Sequence, residues 1–327
     1  MSFIRTLTGD ISPDRLGICD CHDHLIRSGG EEVRMEQDFL MDSVDAAVKE
    51  LNYWYEAGGR AMVVMDSLGC GRNIPKMLEV TEQIQGKVNL IVTTGFHKAG
   101  FYDTNVHWVT TVKDMEKLVD MMAAEIEEGL DIHSYNGPIV ERVPNKAGII
   151  KAGLSYGQIQ PFERRTLEIA ARTQVRTGCP ISVHTQLGTM AYEAAHFLED
   201  KGANLSHVMF CHMHKNPDKY YHKKVMETGA IICYDGPDRA KYFPDCLYAE
   251  NIKWLVDQGF QKQILLSMDA GRASYMRGYM EQKGKDVLGI AYLLNRFVPL
   301  LREVGVKEDA IEDMLVHNPA RVLTFEK

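Results

Sequence analysis

Asp20-Cys21-His22-Asp23-His24 closes a short apolar run, Leu16-Gly17-Ile18-Cys19, near the N-terminus. If that run is a strand, His22 and His24 are two apart and share a face. Paired imidazoles on one strand are the start of a metal site. Four more apolar runs end in residues that suit such a site: Ala147-Gly148-Ile149-Ile150 in Lys151, Pro180-Ile181-Ser182-Val183 in His184, His207-Val208-Met209-Phe210-Cys211 in His212, and Ile264-Leu265-Leu266-Ser267-Met268 in Asp269. Four imidazoles and a carboxylate are good ligands for zinc or another divalent ion. Lys151 is the odd member, because an ammonium repels a metal. Desolvated and neutral, it can take up carbon dioxide as a carbamate, an anionic ligand able to bridge two ions.

Residues this far apart in sequence converge only if a repeating architecture brings their strand ends together. Strand patterns fall at 17–22, 61–66, 89–94, 147–151, 180–184, 207–212, 229–234 and 263–268. Helical patterns lie between them, at 43–57, 111–129, 161–177, 189–201, 221–228 and 249–258. Alternating β and α units predict a parallel sheet with helices outside, and eight units predict closure into a (β/α)8 TIM barrel with its site at the C-terminal mouth. Residues 1–16 read as an extended segment turning at Gly9-Asp10. The part from 284 to 327 reads as mostly helical, with Pro319 near a helix start. The longest insertion, 97–146, would overhang the mouth. Nothing in 1–327 marks a linker, so one domain is the simplest reading.

This order of His-x-His, Lys, His, His and Asp resembles the phosphotriesterase-like branch of the amidohydrolase superfamily, over nearly the whole chain. The resemblance implies that His22, His24 and Asp269 hold the more buried of two divalent ions. His184 and His212 would hold the more exposed one, and carboxylated Lys151 would bridge them. Zinc is the first choice of metal, before manganese, cobalt or nickel. The segment from Asp66 to Asn73 matches a supporting motif of the family. Thr94-Gly95-Phe96-His97-Lys98-Ala99-Gly100-Phe101-Tyr102 and Tyr234-Asp235-Gly236-Pro237 look like a subgroup acting on phosphorylated sugar lactones. The implied reaction is opening of a pentono- or hexono-lactone phosphate by a metal-bridging hydroxide, with Asp269 as the catalytic proton carrier.

Cations in the loops after the seventh and eighth strands fit such a substrate, since those loops often bind phosphate in barrels. Lys241, Arg272 and Tyr275 are the preferred contacts, with Arg239 and Lys98 as further candidates. Organophosphate triesters and acyl-homoserine lactones are neutral, so a cationic mouth argues against them. Deaminases of this scaffold lack the bridging Lys. An inactive binding barrel would have no need of all six site residues.

Each position also has a plainer reading. Asp269 could cap a helix, His214 rivals His212, and His107, His133, His196, His207, His222 and His317 read as surface or structural. Cys21 and Cys211 should point away from the face used by their neighbouring His and serve packing. The net charge of -8 argues against nucleic acid as a partner. No run of 18 apolar residues suggests a membrane span. The N-terminus lacks signal-peptide character, and seven scattered cysteines fit reduced thiols in the cytoplasm. A homodimer is allowed, although no segment marks its interface.

Overall fold

In a computed structural model describing residues 2–102 and 107–326, all eight expected strands form. A hairpin of β1 (Ile4–Thr6) and β2 (Gly9–Ile11) precedes them. The parallel strands are β3 (Cys19–Asp23), β4 (Ala61–Val64), β5 (Asn89–Gly95), β6 (Ile149–Leu154), β7 (Ile181–Thr185), β8 (Val208–Cys211), β9 (Ile231–Tyr234) and β10 (Ile264–Leu266). They follow one another in chain order across the sheet, as a (β/α)8 barrel requires. Residues 103–106 of the long insertion lie outside the described residues.

Side chains join the two edge strands. Ser267 Oγ donates to Asp20 Oδ1 and lies 2.7 Å from the His22 carbonyl oxygen, and Asp20 Oδ2 accepts from Met268 N at 3.2 Å. Asp269 N donates to the His22 carbonyl at 3.0 Å. Burial pushes the Asp20 carboxyl up to about 7, against bonds from Ser267 and the backbone that favour its charged form. This seam places the start of the site, His22, beside its end, Asp269.

The barrel interior is filled by a cluster that includes Cys19, Cys21, Val63, Ile91, Ile149, Met209, Cys211, Cys233 and Leu265. Ile4 and Leu16 join the same cluster, so the N-terminal segment plugs the barrel's lower end. Its turn falls at Leu7-Thr8, two residues before the expected Gly9-Asp10, which belong to β2. Thr6 sets that turn through Oγ1, which accepts from Thr8 N at 3.3 Å and donates to the Gly9 carbonyl at 2.7 Å.

The outer helices are fixed by caps and apolar faces. The helix Val44–Ala57 starts at Ser43, whose side chain accepts from Ala46 N, and stops at Gly58 in a left-handed conformation. It buries Leu51 and Trp54, and Trp54 Nε1 donates to the Ala61 carbonyl at 3.2 Å. The helix Pro161–Thr177 begins where Glu163 accepts from Gln160 N at 2.9 Å. The same carboxylate accepts from Ala99 N at 3.0 Å, so it also pins the loop carrying His97 and Lys98.

Near the C-terminus one helical run extends from Glu308 to Val322, so Pro319 does not mark its start. A wide π turn at Asp313–His317 precedes it. Another at Leu293–Phe297 precedes Pro299. A proline lacks the N–H donor and crowds the carbonyl four residues back, and a widened turn relieves both problems. Asn318 Nδ2 ties this run to the barrel, donating to the carbonyls of Gln261 and Ile264 at 2.8 Å each.

Arg72 and Asn73 have the supporting role expected of them. Asn73 caps the helix Ile74–Ile84. Arg72 makes a buried two-bond pair with Glu125, at 2.8 and 2.6 Å, and donates to the Thr93 carbonyl at 3.0 Å. Arg72→Met would leave the Glu125 charge buried without its partner, at a cost of about 3–5 kcal/mol. Urea unfolding measures this directly; a loss under about 1 kcal/mol would mean that the pair adds little.

Candidate metal centre

Lys151, His184 and Asp269 each stand two residues past an inward neighbour, the first two on regular strands. Lys151 follows the inward Ile149 by two residues, His184 follows Ser182, and Asp269 follows Leu265 and Ser267. Two departures from regular strand geometry supply the rest. The β3–β4 register shifts between Asp20 and Asp23, which lets both Cys21 and His22 serve the barrel's inner side. His212 lies just past β8 with φ of 66°, and Asp269 has φ of 46°. Left-handed backbone at residues other than glycine costs energy and is concentrated at functional sites. Cys21 and Cys211 therefore do not point away from the site: both line the barrel interior beneath it. Their packing role stands, and burial pushes the Cys21 thiol well up.

The six residues come together. His22 Nε2 lies 3.4 Å from Lys151 Nζ and 3.9 Å from Asp269 Oδ1. His24 Nε2 is 3.6 Å from the same Asp269 oxygen, and His212 Nδ1 is 3.5 Å from Asp269 Oδ2. The His212 ring centroid is 4.8 Å from that of His22 and 4.4 Å from that of His184. His22, His24 and Asp269 present ligand atoms close enough to share one ion. Asp269 caps no helix: the next helical turn, Ala273–Tyr275, is preceded by Arg272.

Burial pushes the imidazoles of His22, His184 and His212 well below the ordinary histidine value. They are thus neutral at physiological pH, as ligands must be. Burial likewise lowers Lys151, although Cys211 and Asp269 nearby favour its charge. His22 Nδ1 is buried without a hydrogen-bond partner. Crowded neutral imidazoles, a desolvated lysine and a carboxylate fit a pair of divalent ions.

An outer layer aims these ligands. Asp66 Oδ1 lies 2.7 Å from His24 Nδ1 and accepts from Arg27 Nε at 3.1 Å, while Arg27 Nη2 lies 2.7 Å from the same ring nitrogen. Asp235 accepts from His212 N at 3.0 Å, lies 3.1 Å from His212 Nδ1, and is 3.0 Å from His214 Nδ1. Burial alone would raise the Asp235 carboxyl, but the His214 hydrogen bond, the neighbouring His22 imidazole and the Lys215 ammonium hold it below the usual carboxylate range. His214, the rival of His212, thus sits behind the site. Asp235 was not among the predicted site residues, yet the same rule finds it: Ile231-Ile232-Cys233-Tyr234 ends in Asp235, two residues past the inward Cys233.

The ligand cluster forms the floor of a cavity of about 170 Å³. Its walls include Lys98, Arg272, His97, Gln186, Lys215 and Tyr242. Lys98 Nζ donates to Gln186 Oε1 at 2.7 Å. The Arg272 guanidinium is paired with Glu36. Arg239 lies just beneath, 3.6 Å from Asp269 Oδ2 and stacked over Tyr275 at 4.7 Å. Lys241 is not brought into the cavity wall. Its side chain is exposed, with the ammonium 5.1 Å from the Tyr242 ring centroid. Lys215 occupies the wall instead, 3.6 Å from Asp269 Oδ2 and 5.2 Å from the centre of the same ring. It was missed because it belongs to a one-turn loop after β8, where no periodicity indicates direction. A larger neighbouring cavity of about 430 Å³ shares Phe101 but contains neither the clustered imidazoles nor Asp269.

The fold and the site together define an enzyme of the (β/α)8 barrel class. The phosphotriesterase family model matches residues 2–323, and the chain belongs to that family. A phospho-furanose lactonase of Mycoplasmopsis synoviae is 54% identical over 99% of this chain and 92% of its own length. The crystal structure of an amidohydrolase from Mycoplasma synoviae superposes with a TM-score of 0.97 at 54% identity, covering 100% of this chain and 93% of the other. A lactonase structure from Listeria monocytogenes gives a TM-score of 0.89 at 29% identity, covering 99% and 100%. The phosphotriesterase homology protein of Escherichia coli, solved with phosphate in its active site, gives 0.83 at 29% identity, covering 95% and 99%.

Proposed function

We propose that this protein opens the ring of a phosphorylated sugar lactone, a pentono- or hexono-lactone phosphate. The observation that carries this reading is one cavity joining the ligand cluster to a cationic wall of Lys98, Lys215 and Arg272. The phospho-furanose lactonase name of the 54% identical relative supports it. So does the phosphate held in the active site of the Escherichia coli relative. A neutral triester or acyl-homoserine lactone would gain nothing from such a wall.

His22, His24 and Asp269 would hold one divalent ion, His184 and His212 a second, with Lys151 between them as its carbamate. Zinc suits this set of nitrogen and oxygen donors. When bound, such a pair supplies a nucleophilic hydroxide near neutral pH and polarises the lactone carbonyl. Asp269 accepts the proton at its carboxylate and returns it to the departing ring oxygen. The cationic wall binds the distal phosphate and so orients the ring, turning remote binding energy into positioning. Arg272 and Lys98 line the cavity directly. Arg239 and Tyr275 form a layer behind the wall, and Lys241 stays exposed outside it. No helix among the described residues is long and apolar enough to cross a membrane. The seven free cysteines fit a cytoplasmic setting.

Paired sugar lactones with and without a 5-phosphate, assayed by pH indicator on metal-reconstituted protein, test the reading. The phosphorylated members should be strongly preferred. Arg272→Ala should raise their KM about 10- to 100-fold, the worth of a charge-assisted hydrogen bond, and leave the unphosphorylated analogues unchanged. Turnover of neutral lactones or triesters alone would discard the substrate class.

A further inference from the structure

The loop after β3 crosses the cavity mouth as a strap. It leaves the barrel through Gly29 and Gly30, with φ of +116° and +94°. It then forms the short helix Glu31–Met35 and the turn Gln37–Phe39. Three contacts fasten it to the loop after β10. Arg272 Nε and Nη2 reach the two Glu36 carboxylate oxygens at 3.2 and 3.1 Å. Asp38 accepts from Ser274 N at 3.0 Å and from its hydroxyl. The Phe39 ring lies 4.2 Å from the Arg272 guanidinium and 5.2 Å from that of Arg27. Phe39 and Arg272 both line the cavity.

We propose that Glu36 is a built-in competitor for the substrate's phosphate. This rests on the reading of Arg272 as a phosphate contact. Glu36 takes the Nε–Nη2 edge of the guanidinium, and a carboxylate presents the same planar pair of oxygens as a phosphate edge. Glu36 therefore fixes the orientation of Arg272 in the cavity wall. A phosphate that binds this same edge must displace Glu36. The exchange is cheap, because the Glu36 side chain is 48% exposed and returns to water once released. A phosphate carries more charge than a carboxylate and wins the exchange, whereas a ligand without an anionic group leaves the pair closed. The strap stays attached meanwhile through Asp38 and Ser274.

The test compares Glu36→Gln with the parent as metal-loaded full-length proteins. Two readouts are used: KM for a 5-phosphorylated lactone, and inhibition by inorganic phosphate. Both constants should fall about two- to fivefold, the range set by an exposed ion pair. KM for the unphosphorylated analogue should not move, and Glu36→Gln should have no effect in an Arg272→Ala background. Glu36→Asp, with a shorter reach, should fall between. A raised or unchanged KM for the phosphorylated lactone would overturn the proposal. So would an effect that survives Arg272→Ala, since it would reflect bulk charge alone. If Arg272→Ala raises that KM while Glu36→Gln leaves it unchanged, only the competitor role falls. If the parent shows no preference for phosphorylated lactones and Arg272→Ala changes nothing, the functional reading falls with it.

Discussion

Lys151→Ala should leave the protein unable to retain two divalent ions per chain. Lys151 lies on the inner face of β6 with its Nζ 3.4 Å from His22 Nε2, in full burial. Burial shifts its pKa downward, which favours the neutral amine that reacts with carbon dioxide. Reaction with carbon dioxide forms an N–C bond and releases a proton, converting a cation that repels metal into an anion that binds it. The backbone is shaped for this approach. Gly95, across the β5–β6 pairing, has φ of +100°, and a Cβ there would sit 2.3 Å from the Lys151 carbonyl oxygen. Loss of an outer-layer partner typically weakens metal binding roughly 10- to 100-fold. Removal of the bridge should exceed that and abolish most lactone hydrolysis. Metal analysis after dialysis gives the stoichiometry, and the rise in thermal midpoint on adding zinc gives a second reading independent of turnover. Two ions retained by Lys151→Ala would remove the bridge assignment.

Asp269→Asn should lower kcat about 10²- to 10⁴-fold, the worth of a positioned proton carrier. The change is nearly isosteric. It keeps the Asp269 N–H bond to the His22 carbonyl, and with it the seam between β3 and β10. What it removes is the anionic carboxylate, whose Oδ1 lies within 4 Å of His22 and His24 and whose Oδ2 lies within 4 Å of His212, Lys215 and Arg239. Turnover should be measured at saturating metal, because Asn is also the poorer ligand. Near-normal kcat under those conditions would strip Asp269 of the proton-carrying role. A fall that disappears as metal is raised would assign it to ligation alone.

The strands and the order of their metal-competent ends were legible in the chain. Apolar runs of strand length recur at intervals that leave room for one helix, and each parallel strand in a barrel must end at the same mouth. Lys151 and His184 needed nothing further than two-residue alternation, whereas Asp269 keeps that spacing but lies past β10 in left-handed backbone. The proline-bearing C-terminal helix was legible only in part. Pro319 signals a helix start locally, and the π turn that admits it inside a longer run depends on how that run packs.

Tertiary structure decided where the remaining side chains point. The β3 register shift and the left-handed backbone at His212 defeat alternation, so Cys21 and Cys211 share the inner side with their neighbouring histidines. Charge in the mouth loops could be counted from the sequence but not aimed. Lys241 stays exposed, Lys215 enters the wall, and Arg272 is already engaged by Glu36, a residue 236 positions away. Sequence fixes a strand residue's direction because the pleat has a period of two. A loop residue has no such period, and its direction is set by contacts that exist only once the barrel has closed.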